Sequence, residues 1–117
     1  MRELKFRAWD DSDKEKGAYM LGPYDLNDSI FNYPDIRSLK LMQFTGLKDK
    51  NGIDIYEGDV VRPFGDQGSL AQIIFFAPSF KLATKLNNGS YNLWNYYEDE
   101  IEIVGNIYQN PELINKL

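Results

Sequence analysis

The sequence predicts a mainly β domain: a small antiparallel barrel, preceded by an N-terminal β accessory region and closed by a short C-terminal helix. Three observations carry this expectation. Polar and apolar residues alternate with a period of two through several short runs, as half-buried strands require. Turn signals rich in Asn, Asp and Gly separate those runs at short spacing, the pattern of a strongly bent meander or barrel. No long capped helix fits anywhere; Asp35–Leu41 has room for one helical turn, and residues 110–117 read as a helix start.

Composition sets the limits. The chain has 117 residues, of which 43% are hydrophobic and 15% aromatic, enough for one domain with a real core. Its formal charge of −5 opposes broad binding to a phosphate backbone. Cys and His are both absent. That removes disulfides, thiolate zinc sites and a Cys nucleophile, and with them the commonest general base and the usual partner of a catalytic Ser. No cofactor or metal is expected. The longest apolar runs, such as Ile73–Ala77, are too short to span a bilayer, and Met1–Lys5 lacks a signal peptide's apolar stretch. A cytoplasmic protein with no membrane contact is expected.

The elements follow in chain order. Residues 2–9 alternate, with Leu4, Phe6 and Ala8 on one face and Lys5, Arg7 and Trp9 on the other. Trp9 thus sits on the charged side, to be covered by a later segment or by a partner. Residues 10–17 are a charged loop. Asp11, Asp13 and Glu15 have the spacing of a calcium loop, but Lys16 and Gly22 occupy the positions where such a loop needs Gly and a bidentate Glu. A short strand over Ala18–Leu21 is expected to end at Gly22-Pro23. Residues 23–39 are the least regular. The centre of the chain is residues 40–61: a strand to Phe44, a tight turn at Asp49-Lys50-Asn51-Gly52, a strand over Ile53–Tyr56, a bend at Gly58 and a strand at Val60-Val61. Residues 71–76 carry apolar side chains on both faces and are expected to be buried. In Lys81–Leu86, Leu82 and Leu86 point inward; Asn87–Ser90 turns the chain, and Tyr91–Tyr97 pairs back. Ile101 and Ile103 face the core, and Gly105 marks a bulge or a close backbone approach. Asn110 and Pro111 read as an N-cap and first helical position. Leu113, Ile114 and Leu117 then need a surface, either this barrel or a second subunit.

Three stretches also resemble a known family. Gln43-Phe44-Thr45-Gly46-Leu47-Lys48-Asp49-Lys50-Asn51-Gly52, followed by Ile55-Tyr56-Glu57-Gly58-Asp59-Val60-Val61, resembles the signature of the YopX family of phage and prophage proteins. Arg2–Asp10 is similar to that family's opening, and Val104–Leu113 to its closing motif. The resemblance implies an SH3-like barrel, a phage-derived gene and self-association. It supplies no catalytic residue. On this basis residues 1–117 form one YopX-like domain, with 1–39 the accessory part, 40–110 the barrel and 111–117 the helix.

Four constellations are candidates for function. Tyr91, Trp94, Tyr96 and Tyr97 crowd one short strand, and with Trp9 they are the candidate partner-binding residues, since Tyr and Trp make good interface anchors. Glu98, Asp99, Glu100 and Glu102 form an acidic edge, read as a guard against strand addition. Lys5, Arg7, Lys48, Lys50, Lys81 and Lys85 would bind single-stranded nucleic acid if they converged. No nucleophile is paired with a base and no loop cradles a phosphate, so catalysis is not expected. The function expected is that of a non-enzymatic accessory protein that acts by self-assembly as a homo-oligomer or by binding a host or phage protein. A nucleic-acid-binding barrel module is the alternative.

Overall fold

The computed structural model describes residues 4–25, 38–63, 70–76, 79–83 and 100–117, and the backbone of 90–92. The chain is mainly β, in two antiparallel sheets. The first sheet has the order β2-β1-β3-β4, from β1 (Phe6–Asp10), β2 (Tyr19–Tyr24), β3 (Lys40–Lys48) and β4 (Asp54–Tyr56). The second is a half-barrel of order β8-β7-β6-β5-β9, from β5 (Asp59–Pro63), β6 (Ala71–Phe76), β7 (Ser79–Ala83), β8 (Ser90–Asn92) and β9 (Ile101–Asn106). A 3-10 helix, Pro111–Lys116, follows.

The nine-residue β3 is the strand that joins β1 to β4 in the first sheet. Its first half pairs with β1, from Trp9↔Lys40 to Phe6↔Gln43, and its second half pairs with β4. Between Phe44 and Lys48 the β3–β4 register shifts. There the fully buried Thr45 hydroxyl donates to the Ile55 carbonyl at 2.8 Å and accepts the Leu47 N–H at 3.2 Å, which satisfies backbone groups the irregular ladder leaves over. Ile55 then packs onto the half-barrel against Val61, Ile73, Phe80, Leu82 and Ile101. The main core therefore lies between the β3–β4 hairpin and the five-stranded sheet.

The Asp49–Gly52 turn closes the open edge of β9. Lys50 N–H donates to the Ile101 carbonyl at 2.9 Å, and Ile103 N–H donates to Asp49 Oδ2 at 3.1 Å. The other Asp49 oxygen accepts from Asn51 N–H and Ile53 N–H at 2.9 and 3.0 Å. One carboxylate thus shapes the turn and covers a strand edge that would otherwise be open to pairing.

Several sequence expectations are corrected here. The second strand does not stop at Gly22-Pro23 but runs on to Tyr24. Proline is tolerated because β2 is the outer strand of its sheet and its register against β1 is already irregular. The strand over 71–76 is buried only in its first half: Phe75 and Phe76 are 44% and 64% exposed. In β7 the inward residues are Phe80 and Leu82, while Leu86 lies outside the described residues. Asn110 makes no side-chain cap to the helix; its Oδ1 instead accepts from Asn106 N–H at 3.2 Å. The helix lays Leu113 and Ile114 against Val60, Leu70 and Leu117, so its apolar side covers this chain's own barrel. Both expectations for Gly105 hold. The β5–β9 register shifts beside it, and a Cβ there would lie 2.5 Å from Asn110 Oδ1.

Candidate interaction groove

The charged face of β1 points into the molecule. Lys5 Nζ lies 4.5 Å from the centre of the Phe44 ring, and the Arg7 guanidinium 4.7 Å from that of Tyr56. Trp9 stacks on Tyr108, with ring centroids 6.0 Å apart and planes 16° apart. Three side chains at period two thus meet three aromatic rings: Phe44 and Tyr56 belong to β3 and β4 of the same sheet, and the Trp9–Tyr108 stack seams that sheet to the segment after β9.

Ion pairs complete the seam. Arg7 Nη2 is 2.6 Å from Asp59 Oδ1, and Arg7 Nε contacts Met42 Sδ at 3.4 Å. Asp59 is only 1% exposed, and its other oxygen accepts the Tyr56 N–H at 2.8 Å. Burial pushes the Asp59 carboxyl above its usual range against the pull of Arg7. Burial likewise raises the Tyr56 phenol, so the ring under Arg7 is the neutral form. Lys5 and Lys48 share Asp54. Burial acts to raise Asp54, but hydrogen bonds and charge from Lys48 and Lys5 outweigh it and hold the carboxyl below its usual value.

Beside this seam a groove of about 230 Å³ opens between the two sheets. Leu41 and Met42 of β3 form one wall, and Gln72, Ile73, Ile74 and Phe75 of β6 the other. The Glu57-Gly58 bend lies between them, with Ile107 and Tyr108 alongside. Gly58 has φ +89°, and a Cβ there would meet Met42 Sδ at 3.0 Å, so the bend needs glycine both for its conformation and for the close approach. Glu57 Oε1 accepts Gln43 N–H at 2.9 Å. The exposed Leu41 and Phe75 rim the opening, and Phe76 follows on the same hairpin with Lys81 Nζ 5.1 Å from its ring centre. The volume falls below the roughly 300–1,000 Å³ of pockets that enclose small-molecule ligands. It suits one or two side chains of a partner.

Of the candidate partner-binding residues, Trp9 lies next to this groove through Tyr108. Tyr91 is on β8, at the far edge of the half-barrel, and its side chain is not described. Trp94, Tyr96 and Tyr97 lie outside the described residues, as do Glu98 and Asp99. Glu102 pairs with Arg62 and Lys50 at 3.1 and 3.3 Å. Among the described residues the basic set is engaged with carboxylates and a ring rather than gathered into one open face. Lys5, Arg7, Lys48 and Lys50 each face a carboxylate, Lys81 lies over Phe76, and Lys85 is outside the described residues. Sequence reasoning missed the groove. Its walls come from strand ends that period-two alternation assigns to the core or leaves unassigned. The one available signal was the pair Phe75-Phe76, separated from Pro78 by Ala77 alone and so too close to a strand end for both rings to be covered.

Comparison with known proteins agrees with this architecture. The chain is similar to protein EF1440 from Enterococcus faecalis, whose crystal structure matches with a TM-score of 0.57 and 26% identity, over 97% of this chain and 99% of that one. No curated protein matches the chain. The family model described as "YopX protein" matches residues 16–115, which takes in the central and closing motifs and leaves the Arg2–Asp10 opening outside it. The chain belongs to the YopX family.

Proposed function

We propose that this is a non-enzymatic accessory protein of phage origin that acts in the host cytoplasm by binding another protein through the groove between its sheets. The observation that carries this is the exposed aromatic rim, Phe75 and Phe76, beside a groove sized for side chains. Exposed aromatics next to a concavity are the usual anchors of protein interfaces. Pairing of the described seam and turn cations with carboxylates weighs against a phosphate-binding face. Because the C-terminal helix covers its own barrel, a self-assembling surface would have to be found among the exposed residues that remain.

The test is a tagged pull-down from infected or lysogenic cells, with nuclease, comparing the wild type with Phe75→Ser/Phe76→Ser. Phe76 is 64% exposed; Phe75 is 44% exposed and its ring packs edge-on against Phe80, so the double variant is checked for a native melting transition before the pull-down. A protein recovered by the wild type and lost by the variant supports the proposal. Recovery that vanishes with nuclease, or that ignores the variant, contradicts it.

A further inference from the structure

Among the described residues, two strand edges reach the groove with backbone groups unused. On β3, Phe44 N–H donates to Lys5 of the N-terminal stretch, while Gln43 turns the other way: its N–H meets Glu57 Oε1 and its carbonyl accepts Glu57 N–H at 3.0 Å. Backbone groups two residues apart on a strand point to the same side. Leu41 therefore presents its N–H and C=O where β4 has already given way to the Glu57-Gly58 bend. On β6, the Ile73 carbonyl accepts Gly58 N–H at 2.8 Å, and Ile74 and Phe76 are opposite Lys81 and Ser79 of β7. By the same rule Phe75 presents its N–H and C=O beyond the start of β5. Among the described residues neither Leu41 nor Phe75 has a backbone partner on that side. Both residues line the groove.

The groove also holds a carboxylate with spare capacity. Glu57 uses one oxygen on Gln43 N–H, and among the described residues no cation pairs with it, whereas Asp11, Asp54, Asp59 and Glu102 all have one.

We infer that the groove is a β-augmentation site. It takes an extended segment of a partner protein that hydrogen-bonds to the open edge at Leu41 or Phe75, places an apolar side chain between the sheets and sets a Lys or Arg against Glu57. Main-chain bonds give affinity and alternate side chains give selectivity. The inference rests on the groove being the interaction surface, and it specifies the partner as a strand with a basic residue.

The probe is a library of displayed nonapeptides selected on the full-length protein. Selected sequences are expected to alternate apolar and polar residues, with one basic residue at a fixed position. Methylating the strand-facing amides of a selected peptide should weaken it about tenfold or more, the scale of one or two lost hydrogen bonds. Glu57→Gln keeps an acceptor for Gln43 N–H, so the fold is retained. It should erase the preference for Lys over norleucine at the basic position. Binding that ignores both methylation and Glu57→Gln overturns strand addition. If the Phe75→Ser/Phe76→Ser variant still loses the pulled-down partner, the groove reading stands alone; if it loses nothing, both fall. Failure of the library to yield any binder overturns the inference as well. So does a dimer mass by light scattering that drops to the monomer in that variant, because the occupant is then a second copy.

Discussion

At the scale of single residues, two buried aspartates do different work. Among the described residues no cation pairs with Asp49; three backbone N–H groups satisfy it, and it ties the central hairpin to β9. Asp59 pairs with Arg7 across the seam. Removing one member of such a pair leaves the other buried without a partner, which costs about 3–5 kcal/mol, while replacing both is far milder. Arg7→Met is therefore expected to lower stability by about 3 kcal/mol in urea, and Arg7→Met/Asp59→Asn to recover most of that loss. Additive losses would contradict the pairing. The sequence placed Arg7 on the polar face of β1 correctly, but alternation alone does not tell which face a second sheet will cover. Asp59, between Gly58 and two valines, is the only local hint of a buried charge.

Asp54 and Asp59 respond to pH in opposite directions. The folded Asp54 carboxyl titrates below its unfolded value, so it stabilises the fold above that value, and the gain disappears as the pH falls through the folded one. Asp59 is raised, so its burden on the folded state eases as the pH drops. Asp54→Asn should cost about 1 kcal/mol at pH 7 and progressively less as the pH falls through and below the ordinary carboxylate range. Melting temperatures across that range check this; a difference that does not change with pH would contradict it.

At the scale of elements, the fold depends on irregularities that the alternating pattern does not reveal. The hairpins around Asn51-Gly52 and the Gly58 bend were legible because their turn chemistry is local. So was the C-terminal helix, with Pro111 at its first position. Its 3-10 form and its packing on the barrel were not, because they depend on β9. There the register shift turns Gly105 beneath Asn110 and Leu113. Gly105→Ala would put a methyl 2.5 Å from Asn110 Oδ1 and 2.8 Å from Leu113 Cδ1. Such overpacking costs about 1–3 kcal/mol. The expected outcome is a lower melting temperature with the tryptic site after Lys116 opened in the folded state. Unchanged stability would mean that the helix is not packed as described. The exposed end of β6 was misread because Ile73–Phe76 looks uniformly apolar, and the late start of β5 at Asp59 leaves its last residues uncovered.

At the scale of the whole molecule, β3 joins the N-terminal strands to β4 within one sheet, and the Arg7–Asp59 pair and the Trp9–Tyr108 stack tie that sheet to β5 and to the segment after β9. The mainly β class and the antiparallel, barrel-like bending were legible from period and turns; that the central hairpin would share a sheet with the N-terminal strands was not. The groove was not. It exists only because β4 and β5 end where β3 and β6 continue, a property of relative strand lengths in three dimensions. The same mismatch leaves two strand edges open in a protein that closes its β9 edge with Asp49 and Lys50. Protection of one edge and exposure of another is the arrangement expected of a surface kept for a partner.

The most direct measurement is amide hydrogen exchange by NMR, first on the free protein and then with a selected peptide. In the free protein the Leu41 and Phe75 amides should exchange much faster than those of Met42 and Ile74, which face neighbouring strands. With peptide bound, at least one of the two should slow about tenfold or more. Equal protection of all four amides in the free protein, or no change at either open edge on binding, would contradict the account.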